Sequence, residues 1–221
     1  MEVARVTAQT TRLMVDSAMP NGIEALRRMV ERAGYASVLE AVAEHVVFLH
    51  PNTVGQTGLK PIFPVVRDMK RRCQTEVLAN GQEVMYDDNT MPTFAFRWAA
   101  GWPSTSTDLQ FNHVITDSSD VRHYTALWNL CVTPAFLAKA TDGHPEVATA
   151  LRYRSHELYG SAPHLAAPEK PEGYEQLRWG PVAPPISDLA STMQARFSKS
   201  NSTRAKAIRR IGWLFGPPTP P

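Results

Sequence analysis

Only two cysteines, Cys73 and Cys131, occur among the 221 residues, and neither belongs to a C-x-x-C pair. That excludes a disulfide framework and a four-cysteine zinc site, and it fits a reducing compartment. Net charge is equally scarce: 23 basic and 21 acidic side chains leave +2. No bulk field therefore announces a nucleic-acid partner, although a local patch would be enough to bind one. Long apolar runs are missing too. The longest, around Val46–Leu49, falls far short of the ~20 residues that span a bilayer. Met1–Met19 carries no apolar core behind basic residues, so the reading is a soluble, cytoplasmic protein with no secretory leader and no membrane association. Walker, G-x-G-x-x-G, G-x-S-x-G and H-E-x-x-H patterns are all absent, which removes the common nucleotide, serine-hydrolase and zincin signatures.

What is present is an ordinary globular composition, 43% apolar and 20% charged, with an excess of proline gathered late in the chain. Residues 1–20 have no period and read as a flexible lead-in. Asn21-Gly22 opens a helix with Ile23, Leu26, Val30 and Ala33 on one face, stopped by Gly34. Ser37-x-x-Glu40 is a capping box for a second helix, whose stripe Val38, Val42, Val46, Leu49 runs to His50-Pro51. Pro64, Val66, Met69 and Cys73 are spaced for a third. Thr75–Ala79, Asn80-Gly81 and Gln82–Tyr86 read as a two-residue β-hairpin. From Tyr86 to Asn129 short aromatic and β-branched runs predict strands and loops. Thr133-Pro134 offers a cap and a first-turn proline to a short helix over Ala135–Thr141, and Pro145 starts another that stops at Gly160.

The expected fold is α+β, with N-terminal helices, a small β region, then C-terminal helices. Residues 21–160 form the domain and 161–186, with six prolines, a linker or surface wrap. Residues 187–215 form a basic amphipathic helical segment, and 216–221 a disordered proline tail.

The densest polar chemistry lies between Asp87 and His144. It comprises Asp87-Asp88-Asn89, Asn112-His113-Val114, Trp128-Asn129-Leu130 and Asp142-Gly143-His144. A histidine on a strand, an asparagine sixteen residues on and a following helix resemble the HNH, or ββα-metal, nuclease motif over about residues 110–144. The resemblance implies a metal-dependent endonuclease that hydrolyses DNA phosphodiester bonds. It assigns His113 as general base and Asn129 as the residue that pins the loop and orients it. Asn112 falls at a metal-ligand position. The third ligand is missing at the family spacing near Ala138, and Asp142 and His144 are the nearest replacements.

The chemistry supports these residue types. Histidine titrates near neutrality and can take a proton from water. A cation beside the scissile phosphate offsets charge on its oxygens. Oxygen ligands such as Asn112 or Asp142 favour Mg²⁺ or Mn²⁺, and an imidazole such as His144 widens the choice to Zn²⁺. Phosphate contacts are expected from Lys139, Arg152 and Arg154, and from the acid-free stretch that carries Lys199, Arg204, Lys206, Arg209 and Arg210. Cys131, set in an apolar context, reads as core and not as a nucleophile. The rival from another class is a non-catalytic module on a degenerate HNH-like fold, binding nucleic acid or protein.

Overall fold

A computed structural model describes residues 21–103 and 108–213. The expected lead-in, the proline tail and the last two residues of the basic segment before it lie outside the described residues. The architecture is α+β. Asn21 caps α1 (Gly22–Arg32) by accepting from the amides of Ile23 and Glu24, and Ser37 caps α2 (Val38–His45) by accepting from Glu40.

The apolar stripe that predicted α2 as far as Leu49 has another use. Val46 turns extended, and Val47 exchanges backbone hydrogen bonds of 2.8 and 3.0 Å with Val132. A β-branched pair beside an open strand edge gains more from the ladder than from another helical turn. α3 (Pro51–Gly55) then starts with proline in its first turn and His50 Nδ1 accepting from Asn52.

The helix expected after Pro64 is instead β1 (Val65–Arg67). It pairs in parallel with β3 (Glu83–Asp87), which pairs on its other edge with antiparallel β2 (Thr75–Val77). Val65 and Val66 are buried on opposite faces of that sheet, which suits β-branched side chains better than a one-sided helix. The β2–β3 turn holds Ala79-Asn80-Gly81, because Leu78 bonds to Gln82. Gly81 takes the left-handed position at φ 81°, so the loop has three residues and not two.

α4 (Thr90–Ala99) occupies part of the stretch expected to be strands. Its period was present in Met91, Ala95, Phe96 and Ala99, all buried, but bulky aromatics obscured it. Next come β4 (Leu109–His113), α5 (Val121–Tyr124), a 3-10 turn at Leu127–Asn129 and β5 (Leu130–Pro134). A further 3-10 turn at Ala135–Leu137 leads to α6 (Ala140–Gly143) and α7 (Pro145–Tyr159). Pro134 ends the strand in place of opening the predicted helix.

β4 and β5 pair antiparallel, with His113 opposite Leu130 and Asn112 opposite Cys131. This hairpin separates two cores. Phe111, Leu130 and Val132 join the core built on the first sheet and α4. Val114 and Cys131 join the core of α1, α2, α6 and α7. Residues 161–186, expected as a linker or a surface wrap, carry one 3-10 turn at Tyr174–Gln176 and run as a wrap along α2, with the Gly180 and Ala183 amides donating to the Ala43 and Phe48 carbonyls. Gly180 is required there, since a Cβ would lie 2.5 Å from the Glu44 carbonyl oxygen. α8 (Leu189–Ser198) and α9 (Thr203–Ile211) close the first core through Met193, Phe197 and Ile208. No described helix is long and apolar enough to cross a membrane.

Candidate functional site

The loop joining β4 to β5 is held shut by one side chain. Asn129 is fully buried. Its Oδ1 accepts from the Ile115 amide at 2.7 Å, and its Nδ2 donates to the carbonyls of Ile115 and His123 at 3.1 Å each. The backbone adds a bond from the Val114 amide to the Asn129 carbonyl at 2.9 Å. A side-chain amide can satisfy both an N–H and two C=O groups, and no other residue of this size can.

His113 depends on the same loop. Its Nε2 lies 2.9 Å from the Tyr124 carbonyl, which can only accept, so the proton sits on Nε2. In the neutral ring Nδ1 then keeps its lone pair. The imidazole stacks on the Tyr124 ring at 5.3 Å and 12°. Burial pushes its pKa below the ordinary histidine value, the carbonyl bond opposes that shift and nearby Arg67 adds to it. The ring is therefore neutral at pH 7. Arg67 is exposed and makes no ion pair among the described residues, and its backbone amide donates to Ser118 of the loop at 2.9 Å.

The ligands expected beside His113 do not gather there. Successive strand residues point to opposite faces, so Asn112 turns into the other side of the hairpin. There it is buried and donates to Thr133 Oγ1 at 2.9 Å. α6 packs on that same far side through Ala140 and its neighbour Leu137. Asp142 is exposed, 3.8 Å from Lys139, and His144 Nδ1 lies 3.0 Å from Glu146. The proposed base and the three proposed ligands thus occupy different faces.

The basic residues expected to meet phosphate are largely engaged inside the chain. Arg154 pairs with Glu157 and lies over Trp179. Arg209 donates to the carbonyls of Phe197 and Ser200, and Arg210 to Glu83 and Thr75. Arg204 bridges Asp87 and Asp88. Lys139 is exposed, and Arg152 lines a cleft of about 440 Å³ with Ile115, Trp128, His156, Ser161 and Leu165.

The sequence reading missed the loop's own side chains. Asp117, Asp120 and His123 place their ligand atoms within 4.8 Å of one another, a group that could hold a metal ion. Local structure fixes each. Asp117 Oδ1 accepts from the amide and hydroxyl of Ser119. Asp120 caps α5 by accepting from the Arg122 amide, and His123 follows one helical turn later. Ser119 holds the Asp117 carboxyl below the usual range, and Arg122 does the same for Asp120. The available signal was the D-x-x-D-x-x-H spacing, masked by a run that otherwise reads as a solvated turn. Cys131 is buried and its thiol is pushed up to about 12, so it offers no thiolate. No family model, curated protein or solved structure matches the chain.

Proposed function

We propose that the chain is a metal-dependent phosphodiesterase of the HNH type acting on DNA. In this reading His113 is the general base and Asn129 its positioning residue. The observation that carries it is the closed loop: one buried amide fixes residues 115 and 123, and the next residue's carbonyl fixes the His113 tautomer. A neutral imidazole with a free Nδ1 lone pair is the form a base needs at pH 7. Asp117, Asp120 and His123 replace Asn112, Asp142 and His144 as the cation-holding set, for Mg²⁺, Mn²⁺ or Zn²⁺. The ion, when bound, supplies charge to offset the phosphate oxygens. Arg67, with no ion pair among the described residues and close to His113, is the nearest candidate for a phosphate contact, with Arg152 in the neighbouring cleft.

A second reading has its own support. Asn112 is locked to Thr133 and α6 lies across the hairpin from His113, which favours a non-catalytic module on a degenerate HNH-like hairpin. Plasmid nicking with Mg²⁺ or Mn²⁺, beside a melting curve, separates the two. His113→Ala should lower nicking by about 10²–10⁴ and leave a folded protein. The wild-type rate should fall on acidification, at a lower pH than an ordinary histidine would give, because burial depresses the pKa of the base. A stable His113→Ala variant of undiminished activity removes the assignment, and retention of DNA without nicking selects the module.

A further inference from the structure

We infer that His164, carried on the wrap, completes a two-histidine, two-aspartate centre with Asp117, Asp120 and His123, and that this centre takes a late transition metal of the Zn²⁺ class. The inference shares three residues with the function proposed above but does not require hydrolysis.

Two imidazole nitrogens converge here from distant parts of the chain. His123 Nε2 and His164 Nε2 lie 2.7 Å apart, and the rings stack at 4.9 Å and 21°. His123 Nε2 also lies 4.0 Å from Asp120 Oδ2. His123 is buried at 5% exposure, whereas Asp117 and His164 are exposed, so the group has a fixed floor and an open mouth. Without a cation, one ring must donate to the other. With one, both Nε2 lone pairs serve as ligands at about 2.0–2.1 Å in a tetrahedral shell, so the nitrogens must part by roughly 0.6 Å. The exposed His164 side chain makes that movement, swinging toward the Asp117, Asp120 and His123 atoms that already lie within 4.8 Å of one another. Two imidazoles and two carboxylates select Zn²⁺, Co²⁺ or Ni²⁺ over Mg²⁺, which prefers all-oxygen shells.

Two features limit the affinity. Arg122 forms a salt bridge with Asp120, competing with a cation for that carboxylate. His123 Nδ1 is buried with no hydrogen-bond partner among the described residues, whereas a ligating imidazole ordinarily anchors its second nitrogen.

Titration of the chelator-treated full chain with ZnCl₂ and with MgCl₂ tests the centre. We expect one Zn²⁺ per chain, bound at least tenfold more tightly than Mg²⁺. His164→Ala, on an exposed position outside the core, should weaken Zn²⁺ by at least about tenfold, since even an outer-shell loss costs 10–100-fold. It should leave Mg²⁺ unchanged. Arg122→Gln should tighten Zn²⁺ severalfold by releasing Asp120. Co²⁺ substitution should give a visible absorption band that His164→Ala alters. Zn²⁺ bound no better than Mg²⁺, or bound equally by wild type and His164→Ala, overturns the proposal. Nicking measured in parallel keeps the two readings distinct. Tight Zn²⁺ without nicking retains the centre and removes the hydrolase, and Mg²⁺-driven nicking with no Zn²⁺ preference does the reverse.

Discussion

The β4–β5 loop and α9 are both rich in polar side chains, and they use them in opposite ways. The loop is closed by an uncharged amide, so Asp117 and His164 stay open beside Asp120 and His123. α9 carries Arg204, Arg209 and Arg210, and each is engaged within the fold. Arg204 spans Asp87, which is fully buried, and Asp88 at 2.9 and 2.5 Å, while Arg209 and Arg210 tie α9 to Phe197, Ser200, Thr75 and Glu83. A polar stretch can supply ligands where the fold leaves some of its groups, such as Asp117, reachable from solvent.

The largest expected effect lies in the loop. Asn129→Ala removes the partner of the Ile115 amide and carbonyl and one of the bonds to the His123 carbonyl, which keeps the Ala126 amide, at about 1–3 kcal/mol for each unsatisfied group. A total loss of about 3–5 kcal/mol should appear in urea or thermal unfolding. Asn129→Asp should be no better, because it keeps the acceptor but replaces the two-bond donor with a buried charge facing carbonyls. An Asp variant as stable as wild type would show that the loop is held by other means.

Next comes Arg204→Ala, which strands the Asp87 carboxylate. Breaking a buried pair typically costs about 3–5 kcal/mol. Asp87 keeps its bonds from the Met91 amide and the Tyr124 hydroxyl, so a loss of about 2–3 kcal/mol by the same measurement is expected. The Asp87→Asn, Arg204→Ala double variant should recover part of it. A loss below 1 kcal/mol would return Arg204 to the solvent-facing class.

The smallest effect should come from α9's other arginines. Neutralising Arg209 and Arg210 together should leave the slope of log DNA affinity against log salt unchanged, since their donors already have partners. A flattening by about 0.9 per residue would mean that they reach phosphates after all. The Arg210–Glu83 pair is exposed, so its stability contribution should fall within about 0–1 kcal/mol.

The parts of the fold legible in the sequence were those with local physical causes. Asn21 and Ser37 cap helices, Gly160 ends one, and Asn80-Gly81 turns a chain, all through bonds within a few residues. The errors arose where a distant partner decided. Val46-Val47 left their helix for the edge of β5, and Val65-Val66 formed a strand because β3 was available. His113 and Asn129 do meet at one loop, as their hairpin spacing implied. Asn112, Asp142 and His144 lie away from His113 because sequence order does not tell which face of a strand a neighbour will share. Asp117, Asp120 and His123 lay unread inside a run that resembles any polar turn, and His164 could be linked to them only through the path of the wrap.

The placement of Leu189, Met193, Phe197 and Ile208 in the core that also holds Phe63 and Phe96 has a consequence for biogenesis. A nascent chain emerges from its N-terminus at about 5–20 residues per second. The first sheet, α4 and the hairpin are therefore made while the helices that cover them are still being synthesised. The core around α1, α2 and α7 draws on nearly complete sequence by residue 160, so it can settle first. The other must wait for α8 and α9, with its apolar face uncovered in the meantime. Uncovered apolar surface of this kind favours aggregation, and the interval lengthens with any delay in translating the proline-rich stretch before α8.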